Sequence, residues 1–594
     1  MKLTRVRLRP KLIALIGVIL LSIIVVKLHQ VPPATGYEIS VYQAYPWYFW
    51  AALVGTVLIG QSLIIRCAQK GDEDDQSWLL GVILIGVANA VLLFMPYIRG
   101  HAVYGRADLL THLGYIQDLT TVGAGEILYP FIHLLTYTLS NAMGTETITT
   151  INLLSPVFSY VFFAGLFYTT VQLFKIRPHI LFCLPFISLL LAGSSHTNTA
   201  PYVLSVLYTP FIFYLFIKGQ QTNITAIRIA LVISIVGLVI YHPLTTIFLV
   251  SIFVLYLALK RIRPINSRVK APTTVTSLTI VVFSAWYLNF TGVIRRFEFV
   301  AESLLGSAGG QSELGTYTET ADTFSPPLID IVQIALLRYG AEALLLTLAG
   351  LFVLVSGYLW VRGVAELNVF VLLVAGSYVL FTGLSVLFFV ADLIVGFSRP
   401  LLFATMFAAI LGGSLWYYLW DASEGSSYRP LVSGTFGVVL VVLVVLIVFS
   451  VYPIPGLTGT SHQVTESEID GTEWLFENRD EEILIEEIGI RQYRFDHYHY
   501  GTTNTSPTIR RDDTVPPQNL GYQENETFGS NYERDRYLIL TELGKTMYPV
   551  QYPDFRQYWR YTPEDFERLA LDPSVSRLYD NGEVEFYRTT TTER

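Results

Sequence analysis

The sequence predicts an α-helical polytopic membrane protein of about 13 transmembrane helices, followed by a small extracytoplasmic α+β domain at its C-terminus. Three observations predict it. Hydrophobic residues make up 52% of the chain and charged ones 14%, whereas a soluble domain carries about a quarter charged. The apolar residues gather in uncharged runs of about 17–25, the length a helix needs to cross a bilayer. Charge then divides along the chain: residues 455–594 hold 27 Asp and Glu against 14 Lys and Arg, a balance of −13, and the rest carries +5. These shifts divide the chain into a transmembrane domain, 1–454, and an acidic extracytoplasmic domain, 455–594.

The apolar runs predict spans at 12–26, 47–65, 78–97, 151–174, 180–195, 202–217, 229–241, 245–259, 273–291, 341–359, 369–390, 401–420 and 431–451. The first is read as a retained span, because no small-residue cleavage site follows it. Pro243, between two short spans, also fits a broken helix. The positive-inside rule orients the set. With Lys2, Arg5, Arg7, Arg9 and Lys11 in the cytoplasm, 18 of the Lys and Arg up to residue 454 fall inside and 7 outside. The inside loops include Lys175, Arg177, Lys260, Arg261, Arg263, Arg268 and Lys270. The expected location is the cell membrane, multi-pass, with a cytoplasmic N-terminus and an extracellular C-terminal domain. The long loops, 27–46, 98–150 and 292–340, then share the outer face, where loop-borne function is expected.

Residues 455–594 read as a folded domain. Tyr537–Leu540 and Glu583–Tyr587 have strand composition, and the turn Asp580-Asn581-Gly582 introduces the second. Thr472–Asn478 and Pro563–Leu571 read as short helices. No basic stripe of the kind that binds nucleic acid is present. Cys67, expected in a cytoplasmic loop, and Cys183, expected inside a helix, do not suit a disulfide.

Candidate chemistry concentrates outside. In Gly105-Arg106-Ala107-Asp108-Leu109-Leu110-Thr111-His112, Asp108 and His112 are four apart and share a helical face. A carboxylate and an imidazole so placed can bind a metal, hold a phosphate-bearing substrate or transfer a proton. The plain alternative is a pair that staples a surface helix. Glu38 is the acid of the first outside loop, near the mouth of the bundle, and suits a base or a metal ligand. The aromatics Tyr45, Trp47, Tyr48, Phe49 and Trp50 that follow it also fit an interfacial belt. Arg399, at the outer start of a span, can bond a lipid phosphate through its planar fork. Arg338, Arg295 and Arg296 are alternatives, and snorkelling is the plain reading of each. His242 can line a cavity or cap a kinked helix. Glu342 begins a span, where a helix N-terminus favours an acid.

The N-terminal span, the acid Glu38, the Gly-x-x-Asp-x-x-x-His stretch of Gly105–His112 and the downstream Tyr-Pro-x-x-His of Tyr129–His133 together resemble the GT-C glycosyltransferase superfamily. The Tyr37–Trp50 segment and the acidic, lysine-poor tail resemble haloarchaeal members of surface-layer N-glycosylation, among them dolichyl-phosphate-mannose mannosyltransferases. The resemblance implies transfer of a hexose such as mannose from a polyprenyl- or dolichyl-phosphate sugar to a glycan or glycoprotein outside the bilayer. It implies Asp108 as base or metal-linked carboxylate, Glu38 as second candidate and His112 as support. Arg399, with Arg338 and His242, would hold the donor. A divalent cation such as Mg or Mn, on Asp108, His112 or Glu38, belongs to the same expectation. The chain departs from the oligosaccharyltransferase branch: its tail has no Trp-Trp-Asp-x-Gly and its first loop no Asp-x-Asp. Transfer of a single sugar is therefore expected over en bloc transfer. A flippase or transporter of lipid-linked saccharides, or a polymerase of them, is the rival reading.

Overall fold

The computed structural model describes residues 10–591 apart from 73, 107, 263–272, 305–311, 364–367, 392–395 and 513. Lys2, Arg5, Arg7, Arg9, Arg263, Arg268, Lys270 and Ala107 lie outside the described residues. Each expected span meets a helix, although the one expected at 180–195 is helical only as far as Ile187. Nine of the described helices are long and apolar enough to cross a membrane unaided, or ten if Thr274–Tyr287 and Thr291–Glu302, bent by 115°, form one span. The remaining three, Ser77–Leu93, Arg177–Ile187 and Thr225–Tyr241, are apolar but shorter.

The boundaries follow local chemistry. Trp47–Lys70 ends at Gly71, whose left-handed backbone accepts the turn that closes the helix. That helix runs past the expected boundary, so Cys67 is buried within it and does not lie in a loop. Two helices, Thr225–Tyr241 and Pro243–Ile262, meet at Pro243. The residue before a proline is pushed out of the helical region, and His242 is extended, with φ −163° and ψ 131°. The largest departure is the helix Leu328–Val361, of 34 residues. The polar third loop had suggested a start near 341. The helix begins well before it, because Leu328, Ile329, Ile331, Val332 and Leu336 already form an apolar, exposed stretch.

The loops carry structure. Residues 98–150 contain a short strand β1 (Val103–Tyr104), the helix Asp108–Asp118 and the helix Phe131–Met143. The tail contains β2 (Gln463–Val464), β3 (Leu484–Ile488), β4 (Arg536–Thr541), β5 (Val575–Asp580) and β6 (Val584–Thr589). Strands β3-β4-β6-β5 form one sheet, with β3 parallel to β4 and the other pairs antiparallel. Gly582 closes the β5–β6 hairpin at φ +88°, a backbone open to glycine. Alternation along β4 serves two cores. Tyr537 and Ile539 join the cluster continuous with the membrane bundle, and Leu538 and Leu540 join a second one inside the tail.

The tail docks on all three long loops. Strand β2 pairs with β1. The Glu583 carboxylate accepts from the Tyr37 backbone N–H at 2.9 Å. Phe324 of the third loop meets Tyr558 edge-on at 4.7 Å.

Candidate active site

The chain enters the Asp108 helix through Gly105, whose φ of +148° favours glycine. Arg106 fixes this entry. Its Nη2 donates to both oxygens of Glu468, at 2.6 and 2.7 Å, and its Nη1 to the Gly489 carbonyl at 3.0 Å. Glu468 is itself locked, since it completes the capping box of the tail helix Glu466–Asn478 with Thr465. The first residue of the loop helix is therefore held by the tail.

Asp108 and His112 project from this helix into a cavity of about 600 Å³, a volume within the range of small-molecule sites. The same cavity is lined by His242, Arg338, Glu342 and Arg399. Residues from the second long loop, the junction of two helices at Pro243, the long Leu328–Val361 helix and the start of Ser398–Ala422 thus meet in one space. Arg399 is oriented by Tyr202: its guanidinium lies 5.1 Å from that ring centre, and the Tyr202 hydroxyl donates to its carbonyl at 2.7 Å. Arg338 lies beside the Tyr339 ring at 5.5 Å. Among the described residues neither guanidinium has an ion-pair partner. Arg296 does not line the cavity but lies within electrostatic reach of Tyr129 and His242 at its wall. Arg295 does not line it either.

His112 is buried and its Nδ1 meets Nε2 of the buried His133 at 3.1 Å. Burial pushes the His112 imidazole down to about 4, with Asp108 opposing and Arg494 adding to the shift. Burial, then His112 itself, holds His133 well below the ordinary imidazole value. The pair is therefore neutral at neutral pH. The sequence offered His112 either to orient Asp108 or to contact the phosphate; its Nδ1 is taken by His133, and the residue lines the cavity.

Asp108 is steadied from elsewhere. Its Oδ1 takes a 2.6 Å ion pair from Nη2 of Arg494, on the tail helix Gln492–Tyr500. Nη1 of the same guanidinium donates to Thr111 Oγ1 at 2.9 Å, and Thr111 in turn meets His497 Nδ1 at 3.0 Å. Sequence reasoning missed Arg494, since no local pattern marks which tail arginine returns to a loop hundreds of residues earlier.

Glu38 is not brought to this cavity. Its carboxylate accepts from Arg99 Nη2 at 2.8 Å and lies 3.2 Å from His101 Nε2. Burial alone would raise its pKa, but these two partners outweigh burial and hold the carboxyl below its ordinary value. Glu342 also departs from its expected setting. The helix starts at Leu328, so Glu342 lies about four turns inside it, beyond reach of the positive helix end. It is 7% exposed and its Oε2 has no hydrogen-bond partner. Asp108, His112 and Glu38 do not come together as a ligand set, and among the described residues no three His, Cys, Asp or Glu side chains gather to hold a metal.

No protein-family model matches the chain, and no curated protein matches it in sequence. Among solved structures, the Archaeoglobus fulgidus oligosaccharyltransferase tethered with an acceptor peptide containing the NVT sequon is similar at 11% identity and a TM-score of 0.47, over 79% of this chain and 69% of that one. The same enzyme in complex with Zn and sulfate gives 12% and 0.42, over 73% and 58%. ArnT from Cupriavidus metallidurans bound to undecaprenyl phosphate gives 10% and 0.43, over 86% and 98%. Likeness at this level assigns neither substrate nor reaction, and the residues of the cavity carry the functional argument.

Proposed function

We propose that this protein is a GT-C-like membrane glycosyltransferase. It moves a single sugar, a hexose such as mannose, from a polyprenyl- or dolichyl-phosphate donor to a glycan or glycoprotein at the outer face of the cell membrane, in surface-layer N-glycosylation. One observation carries the reading: a single cavity joins the carboxylate of Asp108 to the guanidinium groups of Arg338 and Arg399, which no described carboxylate neutralises. Arg399 stands at the start of a membrane helix, the depth at which a lipid phosphate sits with its chain in the bilayer. The acceptor hydroxyl attacks the anomeric carbon while the C–O bond to phosphate breaks, with inversion as the resemblance implies. The departing phosphate takes the bonding electrons and the arginines meet its charge. Asp108 takes the hydroxyl proton. No step is assigned to a divalent cation: of the residues named for one, Asp108 and His112 line the cavity and Glu38 does not.

The test is to delete the gene, weigh the surface glycoprotein glycans, and restore the wild type or Asp108→Asn. The asparagine is nearly isosteric but accepts no proton. A general base contributes about 10²–10⁴-fold, so Asp108→Asn is expected to leave the glycan one hexose short at normal abundance in the membrane. A complete glycan from Asp108→Asn removes Asp108 from the chemistry. One feature favours the rival flippase: Glu342 is an ionisable group buried inside a membrane helix, as transporters use. The same glycan masses separate the two, because a flippase defect depletes lipid-linked saccharides broadly and a transferase defect removes one terminal sugar.

A further inference from the structure

The contact between the tail and the Asp108 helix has a consequence for catalysis. Asp108 is the first residue of its helix and its side chain is 60% exposed. An exposed carboxylate samples several rotamers, whereas a general base must stay within hydrogen-bond reach of the proton it removes. Something has to hold it, and His112 is occupied with His133.

We infer that Arg494, supplied by the C-terminal domain, is the positioning residue of the Asp108 base, and that the site is incomplete without the tail. The inference rests on the glycosyltransferase reading. The two arms of the guanidinium divide their work: one meets Asp108 Oδ1 at 2.6 Å, the other Thr111 Oγ1 at 2.9 Å one turn further along the same helix. The carboxylate is thereby fixed against its own backbone. The ion pair is made at Oδ1, and the acceptor hydroxyl is assigned to Oδ2. Arg494 is itself constrained. It is 19% exposed and lies over the Tyr493 ring, 4.8 Å from the centroid.

The helix that carries Arg494 is seated closely enough to place it. A Cβ at Gly114 would come within 2.2 Å of the His497 carbonyl oxygen, so only glycine permits this approach of the two backbones. Further along, Asp118 accepts from the Thr502 N–H at 2.8 Å, from its hydroxyl at 2.6 Å and from the Thr503 hydroxyl at 3.1 Å. These contacts hold the tail without touching Asp108, which allows docking and positioning to be tested apart. Lysine in place of Arg494 keeps a charge but has no planar fork to bridge Asp108 and Thr111.

The experiment follows, by pulse–chase in a deletion strain, the rate at which the truncated glycan is completed, with membrane abundance of each full-length variant measured alongside. Small misplacements of a catalytic group cost up to about 10²-fold. Arg494→Ala is expected to slow completion by about 10–100-fold at wild-type abundance, with Arg494→Lys falling between it and the wild type. Asp118→Asn, which weakens docking alone, is expected to stay within about twofold, the scale of a partly retained hydrogen-bond set. Wild-type rates from Arg494→Ala, with Asp108→Asn inactive, overturn the inference and leave the glycosyltransferase reading standing. Equal losses in Asp118→Asn and Arg494→Ala overturn it as well, because docking alone then accounts for the effect. If Asp108→Asn is fully active, it is the glycosyltransferase reading that has failed, and the inference falls with it.

Discussion

Arg399 shows how a single residue acquires a role from its neighbours. Its sequence setting, Gly396-Phe397-Ser398-Arg399-Pro400, fits a snorkelling side chain as well as a ligand. In the fold its charge points toward a shared cavity, with Tyr202 bracing both its backbone and its guanidinium. A phosphate meets a planar fork through paired bonds that an ammonium cannot copy. Arg399→Lys is therefore expected to weaken donor binding by roughly tenfold and Arg399→Ala by more, about 1.5–3 kcal/mol for a charge-assisted bond. Dolichyl phosphate titrated into the purified protein in lipid nanodiscs measures this; unchanged affinity in Arg399→Ala returns the residue to snorkelling.

Among the elements, the junction between the Asp108 helix and the tail helix Gln492–Tyr500 concentrates imidazoles. His112, His497 and His499 are each held at about 4, below the ordinary 6.5, with burial as the largest cause. The folded state thus favours the neutral rings, while the unfolded chain takes up protons near 6.5. Their contribution to stability is complete above about 6.5 and is lost as pH falls through about 4. Asp496, pushed up to about 6 by burial against the pull of Arg479, acts in the opposite sense. The thermal midpoint of the purified protein is expected to fall between pH 7 and pH 4.5, and less steeply in His497→Gln/His499→Gln. A flat midpoint across that range would show that these rings are not held neutral. The elements themselves differed in legibility. The hairpin at Asp580-Asn581-Gly582 was readable because its turn chemistry is local. Strand β3 was not anticipated: Leu484–Ile488 contains Glu486 and Glu487, whose burial is made tolerable by Tyr532, Arg536, Thr514, Gln492 and Arg491.

For the whole molecule, the three long loops meet one tail, so they and the tail lie on one side of the helix bundle. By the positive-inside rule, the excess of Lys and Arg in the other predicted connections leads us to propose that this side is the exterior. A protease added to intact cells is expected to cleave within residues 455–594, at exposed positions such as the segment around Asn504. Complete protection, with an external control protein digested, would invert the molecule and move its site to the cytoplasm.

The amino-acid sequence alone determined where helices cross, because a span is a property of about 20 consecutive residues. It also read the tail as folded and singled out Asp108, His112, His242, Arg338 and Arg399, all of which the fold places on one cavity. It ranked Asp108 ahead of Glu38 but could not name the partners of either. Only the fold gives Glu38 to Arg99 and His101 and Asp108 to Arg494. Glu342 changed its setting because one helix began 13 residues before the expected span. The reason is one of range: hydrophobic length and turn chemistry act between near neighbours. The partner of a charge is set by where distant segments return, as when Arg494 closes on a carboxylate 386 positions earlier.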